Sequence, residues 1–248
     1  MTTAVIIQAR MGSTRLRGKV LMDIAGLPML EHVVRRAKAA RGVDRVCVAT
    51  TSSDQDSGVV RCAEQAGAET FRGSESNVLS RYVGAARALD AELVVRVTSD
   101  CPLLDPGLLE EMLDGRAELV ARSGAVDHYS NILRRTYPRG LDLEILPRSV
   151  LEQALAHASD PRALEHVTWD ILRQPEIYSL ENHAQPKGRD DSELRLTVDT
   201  EADLEFVRRI HAALGGNGRL FGREEVMALL ERQPSLASIN AAVEQKEA

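Results

Sequence analysis

The chain has 248 residues, of which 44% are hydrophobic and 27% charged, as in a globular protein that can bury a substantial core. Its net charge of −6 and its 3% aromatic content exclude a general nucleic-acid binder, which needs a broad basic face or stacking side chains. The sequence shows neither an apolar run of membrane-spanning length nor the pattern of a signal peptide. Cys47, Cys62 and Cys101 are widely spaced, which favours free thiols in a reducing compartment. We therefore expect a cytoplasmic protein that binds neither nucleic acid nor membranes.

The first half of the chain alternates strand and helix patterns. Short apolar, β-branched runs predict strands at residues 5–7, 45–50, 69–71 and 93–97. Apolar spacing and N-cap residues predict helices at 28–40 and 54–66, and two more that begin after Asn77 and at Asp105. This rhythm is typical of βαβ crossovers, so we predict an α/β protein: a Rossmann-like, three-layer α/β/α fold with a mostly parallel sheet.

The rhythm changes between about residues 119 and 185, where we predict a mixed α+β insertion that carries substrate contacts and a dimer interface. Strand patterns occur at 119–121, 129–133 and 141–145, and a helix capped by Asp160 is predicted to run through residue 172. Residues 194–198 are predicted to return to the sheet before helices at 201–214, 223–232 and 235–243. We expect one domain over residues 1–248, with helical C-terminal segments at about 222–243.

A loop rich in glycine and cationic residues follows the first predicted strand. Arg10, Arg15, Arg17 and Lys19 lie within ten residues of an otherwise acidic chain, at the sheet edge where α/β proteins bind ligands. Glycine lets the backbone approach a ligand, consecutive N–H groups bind anions, and guanidinium groups supply charge for phosphates. The spacing fits neither the P-loop nor the G-x-G-x-x-G pattern. The loop favours a triphosphate, and a merely basic surface loop is the alternative.

Residues 6–21, IIQARMGSTRLRGKVL, resemble the signature of the cytidylyltransferases that activate acidic sugars, such as CMP-KDO synthetase and CMP-sialic acid synthetase. The resemblance is to the SpsF branch, named for spore coat polysaccharide biosynthesis, and covers most of residues 4–210. Arg17 departs from that branch, which has proline there, and should leave the loop more mobile. The resemblance implies a nucleotidyltransferase fold. It also implies a set of nucleotide-binding residues, of which Arg10 and Lys19 are also catalytic: Ala9, Arg10, Met11, Gly12, Ser13, Arg15 and Lys19.

Two later segments each place an aspartate just after a predicted strand. Asp100 lies in RVTSDCPL (96–103), and Asp199 ends RLTVD (195–199). From the residues alone, Asp100 can be a turn former and Asp199 a helix N-cap. The resemblance implies that both bind Mg²⁺ and that Asp100 is catalytic. Mg²⁺ takes one or two carboxylates and completes its shell with phosphate oxygens and water.

The remaining candidates concern the base and the acceptor. By resemblance Arg72 and Ser74 contact cytosine, and a solvated surface cation is the alternative for Arg72. Polar side chains of the insertion are predicted to bind the acceptor: Asn131, Tyr137, Arg139, Asp142, Glu144 and His166. Arg139 suits an anionic acceptor because a guanidinium grips carboxylate or phosphate at two points. The alternatives are a Pro-Arg-Gly turn between strands for Arg139 and a structural role for His166.

The resemblance implies a Mg²⁺-dependent cytidylyltransferase that transfers CMP from CTP to an acidic sugar or similar anion and releases pyrophosphate, for surface polysaccharide synthesis. A cytoplasmic homodimer is expected. Two alternatives stay open: a phosphonate or phosphosugar acceptor, and a glycosyltransferase that uses a nucleotide sugar. Glycosyltransferases of that kind tend to carry a D-x-D carboxylate pair, and Asp100 has no such neighbour.

Overall fold

The computed structural model describes residues 1–215 and 218–245. Within these residues the chain forms nine strands and ten α-helices. In chain order they are β1 (Thr3–Gln8), β2 (Asp23–Ile24), β3 (Leu27–Pro28), α1 (Met29–Ala39), β4 (Arg45–Thr51), α2 (Ser57–Gln65), β5 (Glu69–Gly73), α3 (Val78–Ala88), β6 (Leu93–Thr98), α4 (Pro106–Ser123), β7 (His128–Ser130), β8 (Glu144–Pro147), α5 (Arg148–His157), α6 (Pro161–Glu165), α7 (Trp169–Leu172), β9 (Leu180–Asn182), α8 (Glu201–Leu214), α9 (Arg223–Arg232) and α10 (Pro234–Ala237).

Seven of these strands form one sheet in the order β5-β4-β1-β6-β8-β7-β9. The first four strands pair in parallel, and β8 runs antiparallel to both β6 and β7. The predicted α/β fold with a mostly parallel sheet is therefore confirmed. Strands β7, β8 and β9 fall in the predicted insertion, and they extend this same sheet.

The order of the strands fixes where a ligand can enter. From β1 the chain moves outward through β4 to β5, and then returns to the opposite side of β1 as β6. The connections therefore diverge at the carboxyl ends of β1 and β6, which leaves a crevice between them. Ligands of open α/β sheets bind at such a switch point.

The core lies on both faces of the sheet. Along β1, Val5 and Ile7 pack into one apolar cluster and Ala4 and Ile6 into the other, all with no exposed surface. The first cluster includes side chains of α1, α4 and α8, and the second includes side chains of α3 and α5. Burial on both faces explains why the parallel strands are continuous apolar runs.

Several predicted elements of the middle region differ in the structure. Residues 119–121 are the last turns of α4 rather than a strand, because the helix continues to Ser123 and its buried Arg116 donates to the Val126 carbonyl at 2.8 Å. The helix capped by Asp160 stops at Glu165 and resumes as α7. The break lies where the hydroxyl of Thr168, which is buried, bonds Glu144. Helix α5 was not predicted.

Two predictions near the C-terminus are also wrong. Residues 194–198 form no strand of the sheet. Their backbone pairs with Arg139 through one bridge, and the Val198 N–H donates to the Asp100 carbonyl at 2.8 Å. The helix predicted at 235–243 ends at Ala237, because the chain then turns so that Asn240 becomes buried. By contrast α8 and α9 have the predicted bounds.

Two sequence expectations concern the thiols and the membrane. Cys47, Cys62 and Cys101 are all free and buried, as predicted. Across residues 1–215 and 218–245, no helix combines the length and the apolar character that a membrane span requires.

Candidate active site

A buried aspartate, Asp56, anchors the cationic loop that follows β1. The Met11 N–H donates to Asp56 Oδ1 at 2.7 Å, and Asp56 is 3% exposed and also accepts from the Thr51 hydroxyl. The loop then closes on itself, since the Gly18 N–H donates to the Met11 carbonyl at 3.2 Å. Gly18 has a φ of 69°, a conformation that favours glycine. The turn it makes starts a single 3-10 turn at Lys19 and directs that side chain inward.

Lys19 joins the two predicted metal ligands. Its Nζ donates to Asp100 Oδ2 at 3.0 Å, to Asp199 Oδ1 at 2.8 Å and to the Val198 carbonyl at 2.8 Å. Arg15 Nη2 also lies 3.0 Å from Asp199 Oδ1. Residues separated by 81 and 180 positions therefore meet on one ammonium group.

Backbone contacts explain how Asp199 reaches Asp100 without a sheet strand. The Asp100 carbonyl accepts from the Val198 N–H at 2.8 Å and from the Thr197 hydroxyl at 3.1 Å. The segment also packs against Gly140, where an added Cβ would lie 2.5 Å from the Thr197 nitrogen and φ is 98°. Any other residue at Gly140 would therefore push this segment away from the site.

The charges in this cluster shift one another's pKa. Burial disfavours the charged form of Lys19, but Asp100 and Asp199 outweigh it and raise the pKa of the ammonium. Burial likewise disfavours the Asp199 carboxylate, but Lys19, Arg15 and Arg195 outweigh it and lower that pKa. Both groups are therefore held in their charged forms at neutral pH.

The two carboxylates fit a divalent ion of the Mg²⁺ type. Asp100 Oδ2 and Asp199 Oδ1 contact the same Lys19 nitrogen, so a cation already lies between the two carboxylates. Among residues 1–215 and 218–245 there is no group of three or more His, Cys, Asp or Glu that could cage a metal. Mg²⁺ does not require such a cage, because phosphate oxygens and water complete its shell.

A cavity of about 390 Å³ opens beside this cluster, at the switch point of the sheet. Six of the loop residues predicted to bind the nucleotide line it: Ala9, Arg10, Gly12, Ser13, Arg15 and Lys19. Asp100, Asp199 and His166 also line it, and His166 reaches it from the end of α6. The structure therefore brings the cationic loop, both aspartates and one predicted acceptor residue to a common space.

Three predicted nucleotide contacts lie elsewhere. The backbone N–H of Met11 donates to Asp56, and Met11 does not line the cavity. Arg72 donates to the carbonyls of Thr51 and Ser53, at 3.0 and 2.7 Å, and so holds the end of β4. The Ser74 hydroxyl accepts from the Asn77 N–H at 3.0 Å, at the start of α3. Neither Arg72 nor Ser74 lines the cavity.

Five predicted acceptor residues are also away from the cavity. Asn131 is fully buried and clamps the chain, donating to the Leu141 carbonyl and accepting from the Leu143 N–H. Asp142 pairs with Arg135, and Arg139 lies at the bridge to Arg195.

Glu144 and Tyr137 are among these five, and both are buried. Glu144 pairs with Arg96 and His128. Tyr137 stacks on His183, with ring centroids 5.8 Å apart. The structure thus gives Asn131 and Glu144 structural partners in place of solvent access.

Two arginines that line the cavity were missed from the sequence. Arg81, in α3, is 2% exposed, donates to the Ser74 carbonyl at 2.7 Å and forms no ion pair with the described residues. Arg96 lies in the middle of β6 and pairs with Glu144. A charged residue inside the apolar run of β6 was the available signal, because a buried charge requires a partner.

A second cavity, of about 600 Å³, lies between the N-terminal ends of α4 and α9. Its wall contains Glu111 and Arg223, which pair with each other at 2.9 Å. Because these two charges already compensate each other, and Asp105, Glu224 and Glu225 add negative charge to the wall, this cavity is a poorer candidate for a phosphate ligand.

Comparison with known proteins identifies the family. A sequence profile described as cytidylyltransferase matches residues 4–134, more than half of the chain. This chain belongs to the cytidylyltransferase family. The enzyme is 31% identical over 239 residues to the spore coat polysaccharide biosynthesis protein SpsF of Bacillus subtilis, covering 94% of this chain and 95% of that protein.

Two further similarities support the assignment. A 3-deoxy-manno-octulosonate cytidylyltransferase of Anaeromyxobacter dehalogenans is 44% identical over 117 residues, which is 46% of this chain and 47% of that one. The structure of a cytidylyltransferase from Leptospira borgpetersenii superposes with a TM-score of 0.89 at 29% identity, covering 100% of both chains. The predicted family is confirmed, and the enzyme is a nucleotidyltransferase rather than a glycosyltransferase.

Proposed function

We propose that this enzyme transfers CMP from CTP to a hydroxyl of a small anionic acceptor, an acidic sugar, with Mg²⁺ as its ion and with release of pyrophosphate. The observation that carries the proposal is the convergence of Lys19, Asp100 and Asp199 beside the loop after β1. A cationic loop and two carboxylates at one sheet edge suit a metal–triphosphate complex. The names of the relatives support cytosine as the base and an acidic sugar as the acceptor.

In this mechanism Arg10, Arg15 and Lys19 bind the phosphates of CTP. The acceptor hydroxyl attacks the α-phosphorus in line and gives its proton to solvent. A new P–O bond forms, and the bond to the pyrophosphate oxygen breaks with its electron pair leaving on pyrophosphate. Negative charge grows on the leaving group, so fixed cations stabilise the transition state more than the ground state. Mg²⁺ held by Asp100 and Asp199 would neutralise phosphate charge and lower the pKa of the attacking hydroxyl.

Two residues that line the cavity support the proposal of an anionic acceptor. His166 can contact acceptor groups because it lines the same cavity as the loop. Arg81 offers a guanidinium without an ion-pair partner among the described residues, which suits an anionic acceptor. The same observation suits a phosphonate or phosphosugar, and these acceptors are the second candidate class. We also propose that the enzyme acts in surface polysaccharide synthesis, that it is cytoplasmic and that it forms a homodimer.

The test is pyrophosphate release. The enzyme is assayed with CTP, UTP, ATP and GTP against a panel of acidic sugars, phosphosugars and phosphonates, with Mg²⁺ and with EDTA. We expect release with CTP and an acidic sugar only, its loss with EDTA, and its loss in Asp100→Asn. Equal rates with all four nucleotides, or full activity of Asp100→Asn, would contradict the proposal. Light scattering of the same preparation decides between monomer and dimer.

A further inference from the structure

The Asp199 carboxylate is held from two sides. Its Oδ1 faces the cavity and contacts Lys19 and Arg15. Its Oδ2 faces away and accepts from Arg195 Nη2 at 2.6 Å. Arg195 lies four residues before Asp199, in the segment that crosses the end of the sheet. One oxygen therefore faces the cavity while the other fixes the orientation of the group.

Arg195 is in turn fixed by Asp203. Arg195 Nε donates to Asp203 Oδ1 at 2.9 Å, and Asp203 has no exposed surface. Asp203 Oδ2 accepts from the N–H groups of Asp199 and Thr200, each at 3.0 Å, and closes the capping box that starts α8. One buried carboxylate thus holds both the backbone of Asp199 and the guanidinium that orients its side chain.

The C-terminal segment completes this network. Asn240 Nδ2 donates to Asp203 Oδ1 at 2.9 Å and to the Arg195 carbonyl at 3.0 Å, and Asn240 is 4% exposed. Arg195 Nη1 also bonds the Gln245 side chain. Asn240 is neutral, so it fixes Arg195 and Asp203 without adding a charge that would compete for Asp199.

We propose that the segment from Pro234 to Gln245 helps to set the geometry of the active site. Asn240, Arg195 and Asp203 are positioning residues that hold the Asp199 carboxylate in the orientation a metal–nucleotide complex requires. The proposal deepens the proposed function and rests on it. It assigns a purpose to a segment that lies about 100 residues beyond the part of the chain matched by the family profile.

The physical reason is orientation. A carboxylate that can rotate loses affinity for a metal, because the ordering of the side chain must then accompany binding. Hydrogen-bond partners behind metal ligands typically change metal affinity or activity by about 10- to 100-fold. Asn240 acts one contact farther from Asp199 than Arg195 does, so its replacement should lie near the lower end of that range.

The experiment compares CTP binding with and without Mg²⁺. The dissociation constant of radiolabelled CTP is measured by equilibrium dialysis, in EDTA and in saturating Mg²⁺, without acceptor so that no turnover occurs. The ratio of the dissociation constant in EDTA to the constant in Mg²⁺ reports how well the site holds the metal, and a lower ratio means weaker metal binding. The variants are Asn240→Ala, Asn240→Asp and Arg195→Lys in the full chain. Ser238→Ala, at an exposed position of the same segment, is the matched control.

We expect Asn240→Ala to lower the ratio by about tenfold while the constant in EDTA changes little. Asn240→Asp should lower the ratio further, because it places a carboxylate oxygen against Asp203 and the Arg195 carbonyl. Arg195→Lys keeps the charge but loses the paired geometry, and should lower the ratio at least as much as Asn240→Ala. Ser238→Ala should match the unmodified enzyme.

A purely structural role for the segment would lower the melting temperature and leave the ratio unchanged, and that result would overturn the proposal. If the Asn240 variants fail to fold, an unchanged ratio in Arg195→Lys is the overturning result. If the unmodified enzyme binds CTP with no gain from Mg²⁺, the proposed function itself fails. The two failures are therefore distinguishable.

Discussion

Two clusters of charged side chains flank the end of β6, and they differ in their access to the cavity. The open cluster comprises Lys19, Asp100 and Asp199, and the side chain of Asp100 is 26% exposed. The sealed cluster comprises Arg96, Glu144 and His128. The side chains of Glu144 and His128 are 2% and 0% exposed, and Arg96 is the member of this cluster that reaches the cavity. Both clusters pair cations with carboxylates at the same end of one strand. Their comparison shows how exposure to the cavity can give similar residues different roles.

The sealed cluster is complete within the protein. Burial disfavours the Glu144 carboxylate, but Arg96, His128 and Thr168 outweigh it and lower its pKa to about 2. In the open cluster, by contrast, Lys19 and Arg15 reach Asp199 from the loop after β1, on the side of the cavity where a ligand can replace them. We infer that the sealed cluster stabilises the fold and that the open cluster exchanges partners during the reaction.

The largest expected effect is on the open cluster. Lys19→Met removes the cation that lies between the two carboxylates and beside the proposed phosphate site. Turnover in the pyrophosphate assay should fall by about 100- to 1000-fold, the loss typical for one fixed transition-state donor. Stability should change less, because Asp199 keeps Arg15 and Arg195 as partners. Lys187→Met, at an exposed lysine, is the control, and activity near that of the control would contradict the assignment.

The same variant tests whether Lys19 holds the place of a metal ion. Within the described residues, the ion-paired network that contains Lys19 has three cations and three carboxylates: Arg15, Lys19, Arg195, Asp100, Asp199 and Asp203. A divalent ion alone therefore meets a balanced site. Without the Lys19 ammonium, Mg²⁺ should raise the melting temperature more than it does in the unmodified enzyme. An equal shift in both proteins would show that Lys19 does not compete with the ion.

The sealed cluster should respond in the opposite way. Glu144→Gln leaves the half-buried Arg96 without its counter-charge, so the free energy of unfolding should fall by about 3 kcal/mol, the lower end of the cost of breaking a buried ion pair. The turnover of the folded enzyme should change far less than in Lys19→Met. Denaturant unfolding and active-fraction kinetics measure the two quantities, with the exposed Glu176→Gln as control. A variant that keeps its stability but loses turnover would move Glu144 into the catalytic machinery.

The pH dependence of the unfolding free energy tests the structural role of Glu144 separately. The folded pKa of Glu144, about 2, lies below its ordinary value of 4.5, so folding favours the charged form. The stability it contributes is fully present above about pH 4.5 and is lost as the pH falls toward 2. The unfolding free energies of the enzyme and of Glu144→Gln should therefore converge over that window. Parallel curves would show that Glu144 does not carry this part of the acid sensitivity.

The regular half of the fold could be predicted because its signals are local. Each parallel strand is an apolar run buried on both faces, and Asn77 and Asp105 cap their helices as expected. The middle of the chain gave weaker signals, since β7 and β9 have three residues each and depend on partners far along the chain. Residues 119–121 show the limit. Their apolar character suggests a strand, but α4 continues through them.

The candidate site was predictable to a similar extent. Lys19 and Asp100 follow apolar strands of the parallel sheet, which brings the ends of such strands to one edge. Asp199 reaches the same edge through backbone contacts with Asp100, because its segment forms no strand. Arg195 and Asp203 were not predicted as supports, because Asp203 has a sufficient local explanation in the capping box of α8. Asn240 carried no signal at all. Its role depends on a turn after α10 that only tertiary contacts determine.

The smallest expected effect concerns the loop position where the sequence departs from the related branch. Arg17 is exposed, its side chain does not line the cavity, and its N–H makes no backbone hydrogen bond with the described residues. Arg17→Pro should therefore stabilise the folded enzyme by about 0.4–1 kcal/mol, a rise of about 1–4 °C in melting temperature, by restricting the unfolded chain. Arg17→Ala separates the loss of charge from the gain of the ring. If the proline variant melts at a lower temperature than the alanine variant, the turn before Gly18 requires a backbone conformation that proline cannot adopt, and Arg17 is then retained for its φ and ψ freedom rather than for its charge.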